Sequence, residues 1–517
     1  MPAPRTAPGL NLVPRPTQSA RIQGEFVLDP TTALRIGPGA ERAAALLRKL
    51  LAPATGLSLP AAADGRIVLA VEPALSGLGD EGYGLTVGTD AVMLRAARPE
   101  GLLRGVQTLR QLLPPEALLS VPVPGLRWAL PCAQITDTPR FRWRGAMLDV
   151  ARHFQPISYV RRFVDLLAFH KLNVLHLHLT DDQGWRLPVP GYPRLTEVGG
   201  VRAETLGDGV PHGGSYTREE LVSLVEYAAD RGVTVVPEVE MPGHARAALA
   251  AYPELGNDPE RQLDVWTRWG VCETVFGVHD ETLDFCRAVL AEVMDIFPSR
   301  YIHVGGDECP VREWEEAPYA RERAAELGLA EPAALHGWFM DRIAEFLLAH
   351  GRRPVGWTTD GKDLGPEYTA VSWIDADHGL VSARSGQDVI MAPHRATYLD
   401  YAQSDAASEP PGQPGNVVSL RDVYDFEPAP EEWEPAAQER VIGTQGQLWS
   451  EYWSTPDHCE HLAFPRLCAL AEVAWAARGQ REFTDFARRL VPHGDRLEAL
   501  GVRDARSRTG TAGPAAE

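Results

Sequence analysis

The sequence predicts an α/β chain: a (β/α)8 barrel preceded by a small α+β domain. Three observations carry this. At 517 residues the chain is too long for one ordinary core. Its rhythm changes at residues 133–142. Beyond that junction, eight strand-like runs alternate with helix candidates, the pattern of repeated β/α units. The expected organisation is a flexible N-terminal arm at 1–20, the α+β domain at 21–135, the barrel at 140–505 and a disordered tail at 506–517.

The arm is Pro-rich and lacks an apolar core segment, so it does not read as a signal peptide. In the first domain, residues 66–71 and 83–87 read as strands. Residues 43–51 and 101–113 read as helices. The second places Leu102, Leu103, Val106, Leu109, Leu112 and Leu113 at helical spacing. No catalytic constellation stands out there, and a supporting role is expected. The barrel strands are predicted at 144–151, 173–180, 234–240, 301–304, 353–358, 369–374, 388–391 and 441–448. Helices are expected at 158–170, 218–231, 280–296 and 334–350. Residues 400–440, rich in Pro, Glu and Asp, read as a long loop on the active face.

Composition narrows the function classes. A formal net charge of −20 disfavours nucleic acid and anionic membrane surfaces as partners. No window of about 18 apolar residues exists, so no membrane helix is expected. The six cysteines form no C-x-x-C pair, which argues against a zinc ribbon. Cys272 and Cys286 could pair in an exported chain; reduced thiols are expected. A cytoplasmic protein is predicted, or a secreted one if a leader has been removed. No cofactor and no metal are expected.

In such a barrel, chemistry gathers at the C-terminal ends of the strands. There the sequence offers Asp149, Arg152 and His153; His178, Asp181, Asp182 and Trp185; Glu238, Glu240 and His244; Asp307 and Glu308; Trp357 and Asp360; Trp373 and Asp375; Tyr398 and Asp400; Gln445, Trp449 and Glu451. Carboxylates and indoles recur at one end of nearly every strand, whereas a solvated face would scatter its charges. Indoles stack on the apolar faces of pyranose rings, and carboxylates with arginine take the hydroxyls. This is the composition of a sugar site. The phosphate-binding G-x-x-x-x-G-K-[ST] pattern is missing.

The central stretch is Tyr301-Ile-His-Val-Gly-Gly-Asp-Glu308. A buried strand breaks into two glycines and delivers two adjacent carboxylates. Retaining glycosidases set two carboxyls roughly 5 Å apart across the anomeric carbon, and inverting ones roughly 6.5–9.5 Å. Sequence neighbours leave one strand end together and are poorly placed on opposite faces of one carbon. A nucleophile from the substrate resolves this, namely the carbonyl oxygen of a 2-acetamido group. Asp307 would then orient the acetamide. Glu308 would act as general acid and then base, with its pKa raised by a partly apolar site and by Asp307.

These residues resemble the family 20 β-N-acetylhexosaminidases, whose marker His-x-Gly-Gly-Asp-Glu is met by His303 to Glu308. The resemblance continues through Asp149-Val-Ala-Arg-His-Phe154, His176-Leu-His-Leu-Thr-Asp-Asp-Gln-Gly-Trp-Arg186, Met241-Pro-Gly-His244, Tyr398-Leu-Asp400 and Leu448-Trp-Ser-Glu451. It implies an exo-acting, substrate-assisted retaining hydrolase for terminal β-linked GlcNAc or GalNAc on a small or oligosaccharide substrate. It also implies roles. Arg152 grips O3 and O4, Glu451 shares those hydroxyls, and Asp400 takes one nearer O6. Tyr398 bonds the acetamide carbonyl, while Trp357, Trp373 and Trp449 form the acetamide pocket and ring platform. Asp181 and His244 help set the protonation of Glu308. Two departures stand out. Glu240 replaces the usual Asp before Met-Pro-Gly-His. Gln413 falls about where a further Trp is common, leaving either a thinner pocket wall or Trp433 in its place.

Two other classes compete. His176-x-His178 puts two imidazoles on one strand face, a spacing used by metal-dependent barrel hydrolases. An inactive sugar-binding protein would keep the aromatic walls but needs no Asp307-Glu308 pair.

Overall fold

A computed structural model describes residues 9–504. Eight parallel strands close a barrel in the order Trp143–Asp149, Val174–His178, Thr234–Glu238, Tyr301–His303, Arg353–Thr358, Thr369–Ser372, Val389–Met391 and Val441–Leu448. The last strand pairs back onto the first over six residues, Gly443 to Leu448 against Trp143 to Leu148. A side chain at Gly443 would collide there, because an added Cβ would lie 1.7 Å from the Trp143 carbonyl oxygen.

Strand side chains alternate between faces, so every second residue enters the barrel. At the N-terminal end Trp143, Val174, Val236, Val355 and Ile442 make an apolar plug. One step up, the interior turns polar. Glu238 Oε1 accepts from Trp357 Nε1 at 2.7 Å and lies 2.7 Å from His303 Nδ1. Glu238 Oε2 meets His178 Nδ1 and lies 3.0 Å from His176 Nε2. Gln445 ties the other side of His176 to Trp143. Burial drives His176 down to about 4, whereas Glu238 and Asp181 hold His178 protonated. The His176-x-His178 pair is thus engaged with Glu238, under the floor of the site.

The N-terminal domain is a mixed six-stranded sheet carrying helices Glu41–Thr55 and Pro99–Leu112. It abuts the barrel's N-terminal end, away from the catalytic face. Glu81 lies between Arg144, which opens the first barrel strand (2.8 Å), and Arg104 (2.6 Å). Asp137 collects Lys171, Tyr83 and Trp475.

The segment expected to be a loose arm is anchored where it is described. Val13 is buried, and its N–H donates to Gln111 Oε1 at 3.0 Å. The Arg15 N–H donates to Glu472 Oε2, and a long edge strand begins at Gln18. Residues 1–8, and the tail predicted at 506–517, lie outside the described residues. Residues 400–440 contain short strands and helices, Gln413–Val417 and Leu420–Asp425 among them. All six cysteines are free thiols. Among the described residues no helix is long and apolar enough to cross a membrane.

Candidate active site

The first two strand ends fix a guanidinium. Asp149 closes the first strand and accepts from the N–H groups of Ala151 and Arg152. That turns Arg152 into the barrel mouth. Arg152 Nη2 lies 2.8 Å from Asp181 Oδ2, Nη1 donates to Asp149 Oδ2 at 3.2 Å, and Nε donates to Gln183 Oε1 at 3.0 Å. The group also lies 4.9 Å from the centre of the Trp449 ring. Planar, forked and held on three sides, it can present its free edge in one direction only. Glu451 stands 3.9 Å away.

The third strand runs on through Glu240 to His244. His244 Nδ1 lies 3.2 Å from both Asp181 Oδ1 and Asp182 Oδ2, and Nε2 lies 3.6 Å from Glu308 Oε2. Burial would strip the proton from this imidazole. The two aspartates and Glu308 outweigh burial and keep it protonated.

The fourth strand ends in a sharp turn. Gly305, Gly306 and Glu308 all have left-handed backbone, with φ of 64°, 95° and 45°. Such a conformation is uncommon outside glycine and is typical of functional turns. It sends Asp307 inward and Glu308 to the lip. The charges run opposite to the sequence expectation. Burial raises the Asp307 carboxyl to about 7, helped by Glu308 and only partly opposed by His244. Glu308 is held below its ordinary value, first by the His244 imidazolium 3.6 Å away. Its exposed position limits the desolvation that was expected to raise it.

These groups line one cavity of about 100 Å³: Arg152, Asp181, His244, Asp307, Glu308, Trp373, Tyr398, Trp449 and Glu451, joined by Glu240 and Gln413. Beside it, sharing Asp307 and Glu308, a wider cleft of about 540 Å³ opens past Val271, Pro310, Val311 and His336. Trp357 and Asp400 stand behind this lining. Trp357 is buried with its N–H on Glu238, and its ring centre is 5.7 Å from that of Trp449. Asp400 is buried with neither carboxyl oxygen hydrogen-bonded among the described residues, and burial raises its pKa.

Several sequence candidates lie elsewhere. His153 packs against His212 and Trp269, and Trp185 is buried against Phe285. Asp360 accepts from the N–H groups of Lys362 and Asp363 in an exposed turn. Asp375 caps the helix Ala376–Arg384. Trp433 packs with Phe141, Val389 and Val441 outside the barrel and gives no wall to the cavity. Conversely, Asp149 and Asp182 were named at the strand ends without a role, and Gln183 was not named; all three position site residues. The signal for them was present in the run of polar residues following strands one and two.

A parallel barrel that gathers carboxylates, one fixed guanidinium and indoles at its C-terminal mouth defines a glycosidase. The chain belongs to glycosyl hydrolase family 20: the model of that family's catalytic domain matches residues 141–478, and the model of its domain 2 matches residues 9–138. A β-hexosaminidase of Porphyromonas gingivalis is 38% identical over 510 residues, covering 96% of this chain and 64% of that protein. The chain therefore spans under two thirds of that relative's length. A β-N-acetylhexosaminidase of Cellulomonas fimi is 34% identical, with 96% of each chain covered. The crystal structure of an exo β-N-acetylglucosaminidase from Vibrio harveyi in complex with N-acetylglucosamine superposes with a TM-score of 0.87 at 30% identity, covering 97% of this chain and 79% of that one.

Proposed function

We propose that the protein is an exo-acting β-N-acetylhexosaminidase. It removes terminal, non-reducing β-linked GlcNAc or GalNAc with retention, using the substrate's own acetamido oxygen as nucleophile. The observation that carries this reading is the division of labour at one strand end. Asp307 turns into the smaller cavity, with Oδ1 buried and unpaired among the described residues, while Glu308 stands between that cavity and the wider cleft. Glu308, the more exposed of the two, can reach a leaving oxygen in the cleft, and Asp307 can reach the group that lies inside.

The acetamide carbonyl oxygen attacks C1 as the bond from C1 to the leaving oxygen breaks, and Glu308 protonates that oxygen. Asp307 accepts from the acetamide N–H and balances the positive charge of the oxazolinium ion. Water then attacks C1, giving its proton to Glu308, and the ring opens back to the acetamide. Two inversions give net retention. Tyr398 donates to the acetamide carbonyl oxygen. Trp373 and Trp449 supply apolar walls, with Trp357 packed behind Trp449. Arg152 and Glu451 take the hydroxyls, with the buried Asp400 behind Glu451. The buried floor of His176, His178, His303 and Trp357 supports exo action, since the chain beyond the first sugar must leave through the cleft.

The test is release of an aryl group from the β-N-acetylglucosaminide beside the matching β-glucoside. Neighbouring-group attack can be worth about 7 kcal/mol or more, so only the acetamido sugar should turn over. Asp307→Ala should collapse that rate, and Glu308→Gln should cost about 10²- to 10⁴-fold. Comparable cleavage of the glucoside would require a protein nucleophile and overturn the reading.

A further inference from the structure

Glu240 is 2% exposed, and its N–H donates to Thr180 Oγ1 at 3.0 Å. Its side chain lies across the bare face of Gly305, where an added Cβ would come within 1.6 Å of Glu240 Oε2. Glycine at 305 thus makes room for the longer acid, two residues before Asp307. Glu240 Oε2 has no hydrogen-bond partner among the described residues, and it borders the same cavity as Asp307, whose Oδ1 has none either.

The neighbouring donors are committed. His178 serves Glu238 and Asp181, and His244 serves Asp181, Asp182 and Glu308. Two carboxylates that each leave one buried oxygen without a donor would each bear an uncompensated desolvation cost. A single proton answers both, because a protonated carboxyl donates and an ionised one accepts. We propose that Glu240 is a neutral acid that hydrogen-bonds Asp307 and holds it ionised while Asp307 faces the acetamide. Glu240 is then a positioning residue, acting through Asp307, and the proposal rests on the substrate-assisted reading above.

The charges facing Glu240 assign the proton to it. Glu238 on its own strand and Asp307 at the fourth strand end both oppose its ionisation, while His244 and His178 favour it. Burial and the two carboxylates win, and its pKa rises well above the ordinary range. Asp307 rises only to about 7.

The sign of one kinetic shift tests this. Wild type, Glu240→Gln and Glu240→Met are compared for the pH profile of kcat/KM on the aryl β-N-acetylglucosaminide. Losing a donor to the Asp307 anion should move the alkaline limb of Glu240→Met up by about one pH unit or more, and Glu240→Gln, which keeps a donor, should retain the wild-type limb. A limb that moves down would mean Glu240 is an anion, and an unmoved limb would mean it only fills space. Either result overturns the proposal. Infrared titration gives a second readout. A protonated carboxyl band should appear above pH 8 in the wild-type-minus-Glu240→Gln difference spectrum, from which the carboxyl of Asp400 cancels, and its absence also overturns the proposal. If wild type does not turn over the sugar, the proposed function fails instead, and the infrared band still decides the state of Glu240.

Discussion

His244 Nε2 stands 3.6 Å from Glu308 Oε2 while its Nδ1 lies 3.2 Å from Asp181 Oδ1. A protonated imidazole so placed draws the proton of the catalytic pair away from Glu308, and burial leaves it on Asp307, which titrates at about 7. The pair must be read as one coupled unit. With one proton it can deliver a charged Asp307 and an acidic Glu308 once the acetamide engages Asp307. The profile of kcat/KM should therefore be a bell. It falls as pH rises through about 7, where the last proton leaves, and falls again below the depressed value of Glu308, where a second proton enters. Removing the cation with His244→Gln releases Glu308 toward its ordinary value and relieves Asp307 of the one charge that lowers it. Both limbs should move to higher pH. Glu308 also loses its orienting partner, at a cost of about 10- to 100-fold in kcat. A pH–rate series on both proteins checks this, and unmoved limbs would refute the coupling.

Arg152 is clamped by Asp149, Asp181 and Gln183, so its free edge is fixed before any sugar arrives. Lysine keeps the charge but cannot fill three partners and still offer two parallel donors. Hydrogen bonds to a charged group contribute about 1.5–3 kcal/mol. Arg152→Lys should raise KM about 10- to 100-fold with a smaller loss in kcat, the pattern of an interaction made alike in ground and transition states. If kcat falls as far as kcat/KM, Arg152 serves the transition state alone.

Much of this was legible in the sequence, because the barrel writes its period into each strand. Strands 353–358 and 441–448 and helix 280–296 were predicted end to end. The strand predictions at 144–151 and 234–240 ran two residues long, for a physical reason. Ala151 and Glu240 lie past the last paired residues, Asp149 and Glu238, where the chain begins to leave the sheet and aims Arg152, Glu240 and His244 at the cavity. The anchored segment before Gln18 was hidden because its partners, Gln111 and Glu472, are about 100 and 457 positions away. The order of the Asp307 and Glu308 pKa values was hidden likewise. It depends on an imidazole from the third strand end, and no spacing within His303 to Glu308 encodes where that imidazole falls. Trp433 failed as a wall because composition names an indole without saying which side of the barrel it packs on.

Glu81 joins the two domains, and its charge can be isolated. Burial alone would raise its pKa, but Arg144 and Arg104 outweigh burial and hold it at about 2, from an ordinary 4.5. A depressed carboxyl contributes stability that is complete above its unfolded value and is lost as pH falls through its folded value. Here that window runs from 4.5 down to about 2. At pH 7, Glu81→Gln should cost about 3 kcal/mol, since each pKa unit is worth about 1.4, with the stranded pair of guanidinium groups adding to the loss. The variant's deficit in urea melts should persist down to pH 4.5 and then shrink as wild-type Glu81 takes up its proton. The site lies at the other end of the barrel, so KM for the aryl sugar should hold while the fold survives. A deficit independent of pH across that window would mean that Glu81 joins the domains by its shape and hydrogen bonds, and that its charge contributes nothing.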